Sequence, residues 1–378
     1  MIPLSLYIHF PWCIKKCPYC DFNSHKKDSY FDEATYTQCL IKDFTEDYAR
    51  LGQNRKIHSI FMGGGTPSLF SAEALAPLFQ RIEPYYSDNI EITLEANPGT
   101  IEHGAFKQYF DLGINRISLG VQSLNPRHLK ALGRIHSVDD VARSIDEIKN
   151  AGFKNFNLDL MHGLPSQTLD EALDDLAKAL QFTPTHLSWY QLTIEPNTYF
   201  ANYPPQLPID ETLADIEDAG FELLNAHGFR RYEISAFARD NKRCQHNLNY
   251  WEFGDYIGIG AGAHGKITDR PNQKIIRTTK HKLPKNYLDP DKDFLSEHTE
   301  IEQKEQTLEF MLNALRLIDG FDLELISKRT FVDIETLAPL FAEAQDRGLI
   351  HLSNTHLQPT AHGLRFLNDL TMVVGGSA

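Results

Sequence analysis

Three cysteines fall within eight residues near the start of the chain: Cys13, Cys17 and Cys20, spaced Cys-x3-Cys-x2-Cys. Thiolates are soft ligands, and three held this close can take three corners of a [4Fe–4S] cube. The fourth iron then lacks a protein thiolate and is open to chelation by a small molecule. Structural zinc is the competing use of the same residues. It needs four ligands, and only His25 lies near enough in sequence to complete the set. The two other cysteines, Cys39 and Cys244, are isolated. An odd, clustered set is unlike the even framework of a disulfide-bonded secreted domain and indicates a reducing compartment.

The loop that carries these thiols must be rooted in a sheet. Leu4–Phe10 alternates apolar and polar residues, as a strand does. Further strand-like runs are 57–62, 90–96, 114–121, 153–161 and 186–194, with helical periodicity between them at 28–50, 72–85, 102–112, 138–151 and 169–181. Strand–helix alternation without hairpin turns predicts a parallel sheet. Polar residues gather toward the ends of these runs: Glu91, Thr93 and Glu95, then Ser118 and Gln122, Asn157 and Asp159, and Gln191, Thr193 and Glu195. A parallel sheet buried on both faces reads as nearly continuous aliphatic residues. Polar strand ends therefore favour an α/β fold built as a partial (β/α)6 barrel with a ligand at its mouth. A flat doubly wound sheet is the alternative.

After residue 200 the rhythm changes. Pro204, Pro205 and Pro208 mark a break, 211–227 reads as a helix and 228–235 as a strand. Residues 239–285 hold ten Lys/Arg and four Asp/Glu within an acidic protein. From Ile301 three helical patterns precede a two-stranded turn and a last helix from Thr360, a winged-helix-like α+β module. The expected division is thus a barrel over 1–200, an extension over 201–300 and a C-terminal module over 301–378. The module has six bases and eleven acids, which suits a lid or protein contact better than DNA.

The whole chain of 378 residues has 37 Lys+Arg, 51 Asp+Glu and a net charge of −14. Nucleic-acid binding needs a basic footprint, so no nucleic-acid partner is expected. With 42% hydrophobic and 23% charged residues, wholesale disorder is excluded. The first residues lack the basic start and cleavage site of a secretion signal, and no run approaches the ~18 apolar residues of a membrane span. The expectation is a cytoplasmic protein with at most peripheral membrane contact.

With Tyr7 six residues ahead of Cys13, and Gly63-Gly64-Gly65-Thr66-Pro67 after the second strand, the cysteine motif resembles that of the radical S-adenosylmethionine (SAM) enzymes. The resemblance implies a [4Fe–4S] cluster and bound SAM. In such enzymes one electron from the cluster cleaves SAM to methionine and a 5′-deoxyadenosyl radical, while the protein supplies placement and exclusion of water. Glycine suits a backbone that approaches SAM closely, because it has no side chain in the way.

Further matches are similar to the SAM-contacting positions of the oxygen-independent coproporphyrinogen III oxidase family, over nearly the whole chain. They are Glu95 in Thr-Leu-Glu-Ala-Asn-Pro, Gln122 in Gly-Val-Gln-Ser, Arg134 in Leu-Gly-Arg and Asp159 in Asn-Leu-Asp-Leu-Met-His-Gly-Leu-Pro. By this likeness Tyr7, Tyr19, Gly64, Gly65, Thr66 and Glu95 line the SAM beside the cluster. Gln122, Arg134 and Asp159 lie further across the mouth. Arg134 can fork onto a carboxylate, and Glu95 or Asp159 can accept hydrogen bonds from an amine or hydroxyl. Each, taken singly, serves equally as a buried ion pair or helix cap.

Two features depart from the oxidase pattern. Phe22 stands where the oxidases carry another cysteine, and twelve residues precede Cys13 where they have a long arm. Both count against decarboxylation of coproporphyrinogen III. Instead, His246-Asn247-Leu248-Asn249-Tyr250-Trp251 matches the His-Asn-x-x-Tyr-Trp segment of the related haem chaperones. Those proteins bind haem and hand it to an acceptor without oxidase activity. His246 can offer an imidazole to haem iron, and Tyr250 and Trp251 can pack on a porphyrin face, with Asn247 beside them; a core histidine is the alternative. His264, in a glycine-rich stretch, is expected to be structural or SAM-side. The run Lys266, Arg270, Lys274, Arg277, Lys280, Lys282 and Lys285 reads as a solvated face, with haem propionates as the other use.

The resemblance therefore implies a haem chaperone with cluster, SAM and haem as cofactors, an unidentified haem acceptor and an unidentified electron donor. The alternative is a radical SAM oxidoreductase acting on coproporphyrinogen III or another substrate. Whether the chain is an enzyme, and whether it forms a homodimer, stay open at the level of sequence.

Overall fold

The computed structural model describes residues 2–376 except 28, 53 and 100–104. The alternating run Leu4–Phe10 forms β1, and five parallel strands follow: β2 (Ile57–Gly64), β3 (Tyr86–Ala96), β4 (Arg116–Gln122), β5 (Phe156–His162) and β6 (His186–Gln191). Helices α1 (Glu33–Arg50), α2 (Ala72–Ile82), α3 (Ala105–Asp111), α4 (Pro126–Ala131), α5 (Val138–Ala151) and α6 (Leu169–Gln181) lie in the connections. Local chemistry starts them. Asp32 caps α1, and Ser137 with Asp140 and Thr168 with Glu171 form capping boxes at α5 and α6. The expected helix starts at Asp28 and Glu102 lie outside the described residues.

Beyond residue 200 the chain departs from expectation. After α7 (Asp210–Ala226), the single strand expected at 228–235 is instead two short antiparallel ones, β7 (Arg230–Glu233) and β8 (Ala236–Ala238). The basic stretch is largely regular structure. It contains α8 (Gln245–Trp251), β9 (Asp255–Ile259), β10 (His264–Asp269) and β11 (Lys274–Lys280), followed by β12 (Leu295–Glu300). The sheet has twelve strands in the order β12-β11-β10-β9-β1-β2-β3-β4-β5-β6-β8-β7. Strand β9 pairs parallel with β1, so seven strands are parallel, and antiparallel strands extend both flanks. The two ends of the sheet do not pair with each other, which leaves the barrel open.

One apolar core runs from Leu4 to Phe294 and draws Ile216, Phe229, Phe237 and Ile257 from beyond residue 200. A second core gathers α9 (Gln303–Ala314), α10 (Glu324–Arg329), α11 (Ala338–Asp346), a three-stranded sheet of 321–322, 350–352 and 356–359, and α12 (Leu367–Gly375). Phe253, in the turn before β9, and Ile275 of β11 belong to this second core, and Trp251 packs against it. That joins the winged-helix-like module to the flank of the barrel carrying α8.

Candidate functional site

The parallel strands end together at one face, and the loop after β1 crosses it. Trp12 is fully buried among Phe31, Tyr36 and Phe70 and anchors the loop. Residues 12–13 then pair with 25–26, closing a loop that holds all three thiols. Cys13 Sγ accepts from Thr66 Oγ1 at 3.5 Å and Cys17 Sγ from Arg134 Nη1 at 3.6 Å, while Cys20 lies 3.7 Å from Ser24 Oγ. Asn97 couples the first two contacts: its Nδ2 donates to Thr66 Oγ1 at 3.0 Å and its Oδ1 accepts from Arg134 Nη2. Arg134 also donates to Gly120 O at 2.8 Å.

All three cysteines line a cavity of 380 Å³. Among the described residues no group of three or more His, Cys, Asp or Glu could hold a single metal ion. A cube takes one thiolate per iron, so its cysteines need not meet at a point. The fourth zinc candidate, His25, is engaged with Asn23 Oδ1 at 3.2 Å. Arg134 Nε is buried without a partner among the described residues, and Arg134 supplies positive charge against a thiolate. The donor set fits a cluster better than a tetrahedral ion.

The same cavity is bordered by Tyr19, Gly64, Gly65, Thr66, Glu95, Gln122, Arg134 and Asp159, and by Asn247. Tyr7 borders an adjoining cavity of 710 Å³ that shares Cys20, Gly64 and Glu95 with the first. The nine residues expected around SAM thus gather from five strand ends and two loops. Burial, then the neighbouring Asp159, pushes Glu95 up to about 8. Burial also raises Asp159, against hydrogen bonds from Ser118 Oγ (3.0 Å) and Asn157 Nδ2 (2.7 Å). Two crowded carboxyls of this kind favour a cationic ligand. SAM, with its ammonium and sulfonium, matches that demand. Gln122 ends β4 with φ 67° where the β4–β5 register shifts, and its Oε1 accepts from Tyr190 at 2.8 Å. A non-glycine residue in left-handed backbone at a site is strain retained for placement.

The glycines border the cavity and also pack closely against the protein itself. A Cβ on Gly64 (φ +105°) would lie 2.4 Å from the His9 ring, and one on Gly65 would lie 2.6 Å from Trp12 O. His9 is the residue that sequence reasoning missed here: Nδ1 lies 3.0 Å from Tyr7 OH and Nε2 2.8 Å from Asn23 O. It sits two residues past Tyr7 on the same face of β1, which was the available signal. Asn97, two residues past Glu95, was missed in the same way.

The His246 segment forms α8, capped by the buried Glu91 carboxylate, which accepts from Gln245 N at 2.9 Å. His246 is 1% exposed; Nδ1 lies 3.1 Å from Ser59 Oγ and Nε2 3.2 Å from Tyr250 OH. Its ring stacks on Phe61 at 5.1 Å, and burial pushes it down to about 3. His246 borders neither cavity, whereas Tyr250 borders the larger. Trp251 turns the other way, under the Arg316 guanidinium at 4.3 Å and against the C-terminal core.

The reading of the basic run as a solvated face fits the exposed Arg270, Lys274, Lys282 and Lys285 and is corrected for Lys266 and Lys280. Lys266 and Lys280 are 1% and 0% exposed. Lys266 pairs with Asp255 at 3.2 Å, and Lys280 with Asp43 at 2.5 Å and Asp47 at 2.8 Å. Arg277 pairs with Glu309 and Lys274 with Glu300. Of the run, Lys282 alone borders the larger cavity.

The Radical SAM superfamily matches residues 7–179 and the HemN C-terminal domain matches 301–366. The heme chaperone HemW of Haemophilus influenzae is 49% identical, with 97% of each chain covered. Those of Escherichia coli and Bacillus subtilis are 46% and 35% identical, again with 97% of each chain covered. The solved structure of coproporphyrinogen III oxidase (HemN) from Escherichia coli superposes with a TM-score of 0.83 at 22% identity, covering 100% of this chain and 91% of the other, a likeness of fold. A strand-end site of this make-up, under matches that run the full length of both partners, leaves one assignment: the chain belongs to the HemW family, within the radical SAM proteins related to oxygen-independent coproporphyrinogen III oxidase.

Proposed function

We propose that the chain is a haem chaperone: it binds haem and passes it to an acceptor protein, with a [4Fe–4S] cluster on Cys13, Cys17 and Cys20 and SAM beside it. The observation that carries this reading is the full-length identity of up to 49% to curated heme chaperones. The two adjoining cavities support it, one polar and thiol-lined, the other large and flanked by aromatic rings. The three-domain division 1–200, 201–300 and 301–378 is part of the proposal.

In the smaller cavity, Arg134 and Thr66 hold hydrogen bonds toward thiolate sulfur, and Glu95 and Asp159 offer acceptors to an ammonium. Gln122, Tyr19, Gly64 and Gly65 shape the rest, with Tyr7 at the junction. When bound, the cluster supplies a single electron to SAM. Haem occupies the larger cavity against Tyr250, with Asn247 at the neighbouring opening. His246 and Trp251 hold α8 from behind and brace it against β2 and the C-terminal module. Phe22, 60% exposed and bordering both cavities, gives an apolar surface for a porphyrin edge.

The test is anaerobic. Haem added to the cluster-loaded protein gives a saturable Soret shift, and a haem-free acceptor takes the haem away. Incubation with coproporphyrinogen III, SAM and reductant gives no protoporphyrinogen. Product formation overturns the chaperone reading in favour of the oxidoreductase.

A further inference from the structure

A histidine ligates haem iron only through a ring nitrogen that is accessible and unengaged. The larger cavity is bordered by three histidines, His9, His25 and His264. His9 is 5% exposed with both nitrogens hydrogen-bonded, and His25 is held by Asn23. His264 differs. It is exposed, and its Nδ1 lies 3.3 Å from Thr279 Oγ1 across the β10–β11 pair, while no hydrogen bond is formed at Nε2 among the described residues. The Thr279 hydroxyl can accept from Nδ1–H, and in that tautomer Nε2 offers its lone pair, as metal-bound histidines require.

The loop before His264 is fixed. A Cβ on Gly262 (φ +84°) would lie 2.2 Å from Asn23 Nδ2, and that amide donates to Ala261 O and Lys282 O, each at 2.9 Å. The loop is therefore clamped onto the far wall of the same cavity, and Lys282 is brought to its edge as an exposed cation. Burial, Lys282 and Arg277 lower the His264 pKa, which keeps the ring neutral.

We propose that His264, oriented by Thr279, is the protein ligand to haem iron in the larger cavity, with Lys282 meeting a propionate and His246 acting only to support α8. This rests on the haem-binding reading above and deepens it.

The experiment titrates hemin into the anaerobically purified, cluster-loaded full chain and follows the Soret band and the electron paramagnetic resonance of the ferric haem. Wild type is compared with His264→Ala, His264→Cys, Thr279→Val and His246→Ala. The expected results are loss of the histidine-ligated ferric spectrum in His264→Ala, a thiolate-type spectrum in His264→Cys and roughly tenfold weaker binding in Thr279→Val. In His246→Ala, haem that is bound keeps the wild-type spectrum. If wild type takes up haem and His264→Ala has the same spectrum and affinity, this assignment is overturned while the chaperone reading stands. If wild type takes up none, both fall. The thiolate spectrum is a readout that a merely structural histidine would not move.

Discussion

Replacing Lys280 by Met tests whether the basic segment is scaffold. Lys280 sits between Asp43 and Asp47, and Asp43 also accepts from Tyr287 OH (2.7 Å) and Gly260 N (3.1 Å). Asp43 and Lys280 are fully buried. Removing one partner leaves the Asp43 charge stranded, at a cost of about 3–5 kcal/mol. At roughly 2.1 cal/mol/K per residue the chain unfolds with an entropy of about 0.8 kcal/mol/K, so the melting temperature falls by about 4–6 °C. The double variant Asp43→Asn/Lys280→Met, which keeps the polar contacts without the charge, recovers most of that. Burial, opposed by Lys280, raises Asp43 from the usual 3.8 to about 6. Its folded-state pKa is raised, so the stability it contributes is present below about 4 and lost as pH rises through 6. Without Lys280 the carboxyl titrates higher still, and Lys280→Met therefore costs less at pH 5 than at pH 8. Calorimetry at one scan rate measures both. A shift under about 1 °C at pH 8, or a larger loss at pH 5, refutes the reasoning.

Three further outcomes follow from the site. Glu95, raised to about 8, attracts a cation only once ionised, so SAM binds wild type more tightly at pH 8.5 than at pH 6.5. In Glu95→Gln that difference shrinks, and an unchanged pH profile by equilibrium dialysis contradicts the role. Arg134→Lys cannot span Cys17, Asn97 and Gly120 O at once, so the cluster loses iron faster to a chelator; an unchanged rate removes Arg134 from cluster support. Gly64→Ala puts a Cβ against His9 in left-handed backbone, which lowers the melting temperature even without SAM; wild-type stability denies the packing role.

What could be read in the sequence was what repeats locally. β1 to β6 showed because their alternation and intervening helices are short-range patterns. The five-residue strand β9 did not: its neighbour β1 lies some 250 residues earlier, and its glycines look like loop. The partner of Lys280 is likewise invisible, since Asp43 is 237 residues away. Residues at strand ends were legible as a group because a parallel barrel delivers them to one mouth. The direction of Trp251 was not, because helix α8 lies between the sheet and the C-terminal core and either face reads as aromatic. Thr193 and Glu195, expected on a strand, lie past its end at Gln191.

The central claim is that Cys13, Cys17 and Cys20 hold a cluster with one iron left to SAM. Electron paramagnetic resonance of the anaerobically purified, reduced protein, recorded with and without SAM, measures this directly. The account predicts matching iron and sulfide, a reduced-cluster signal that SAM alters, and loss of that signal when any of the three cysteines becomes Ser. Zinc without sulfide, or a cluster signal indifferent to SAM, contradicts it.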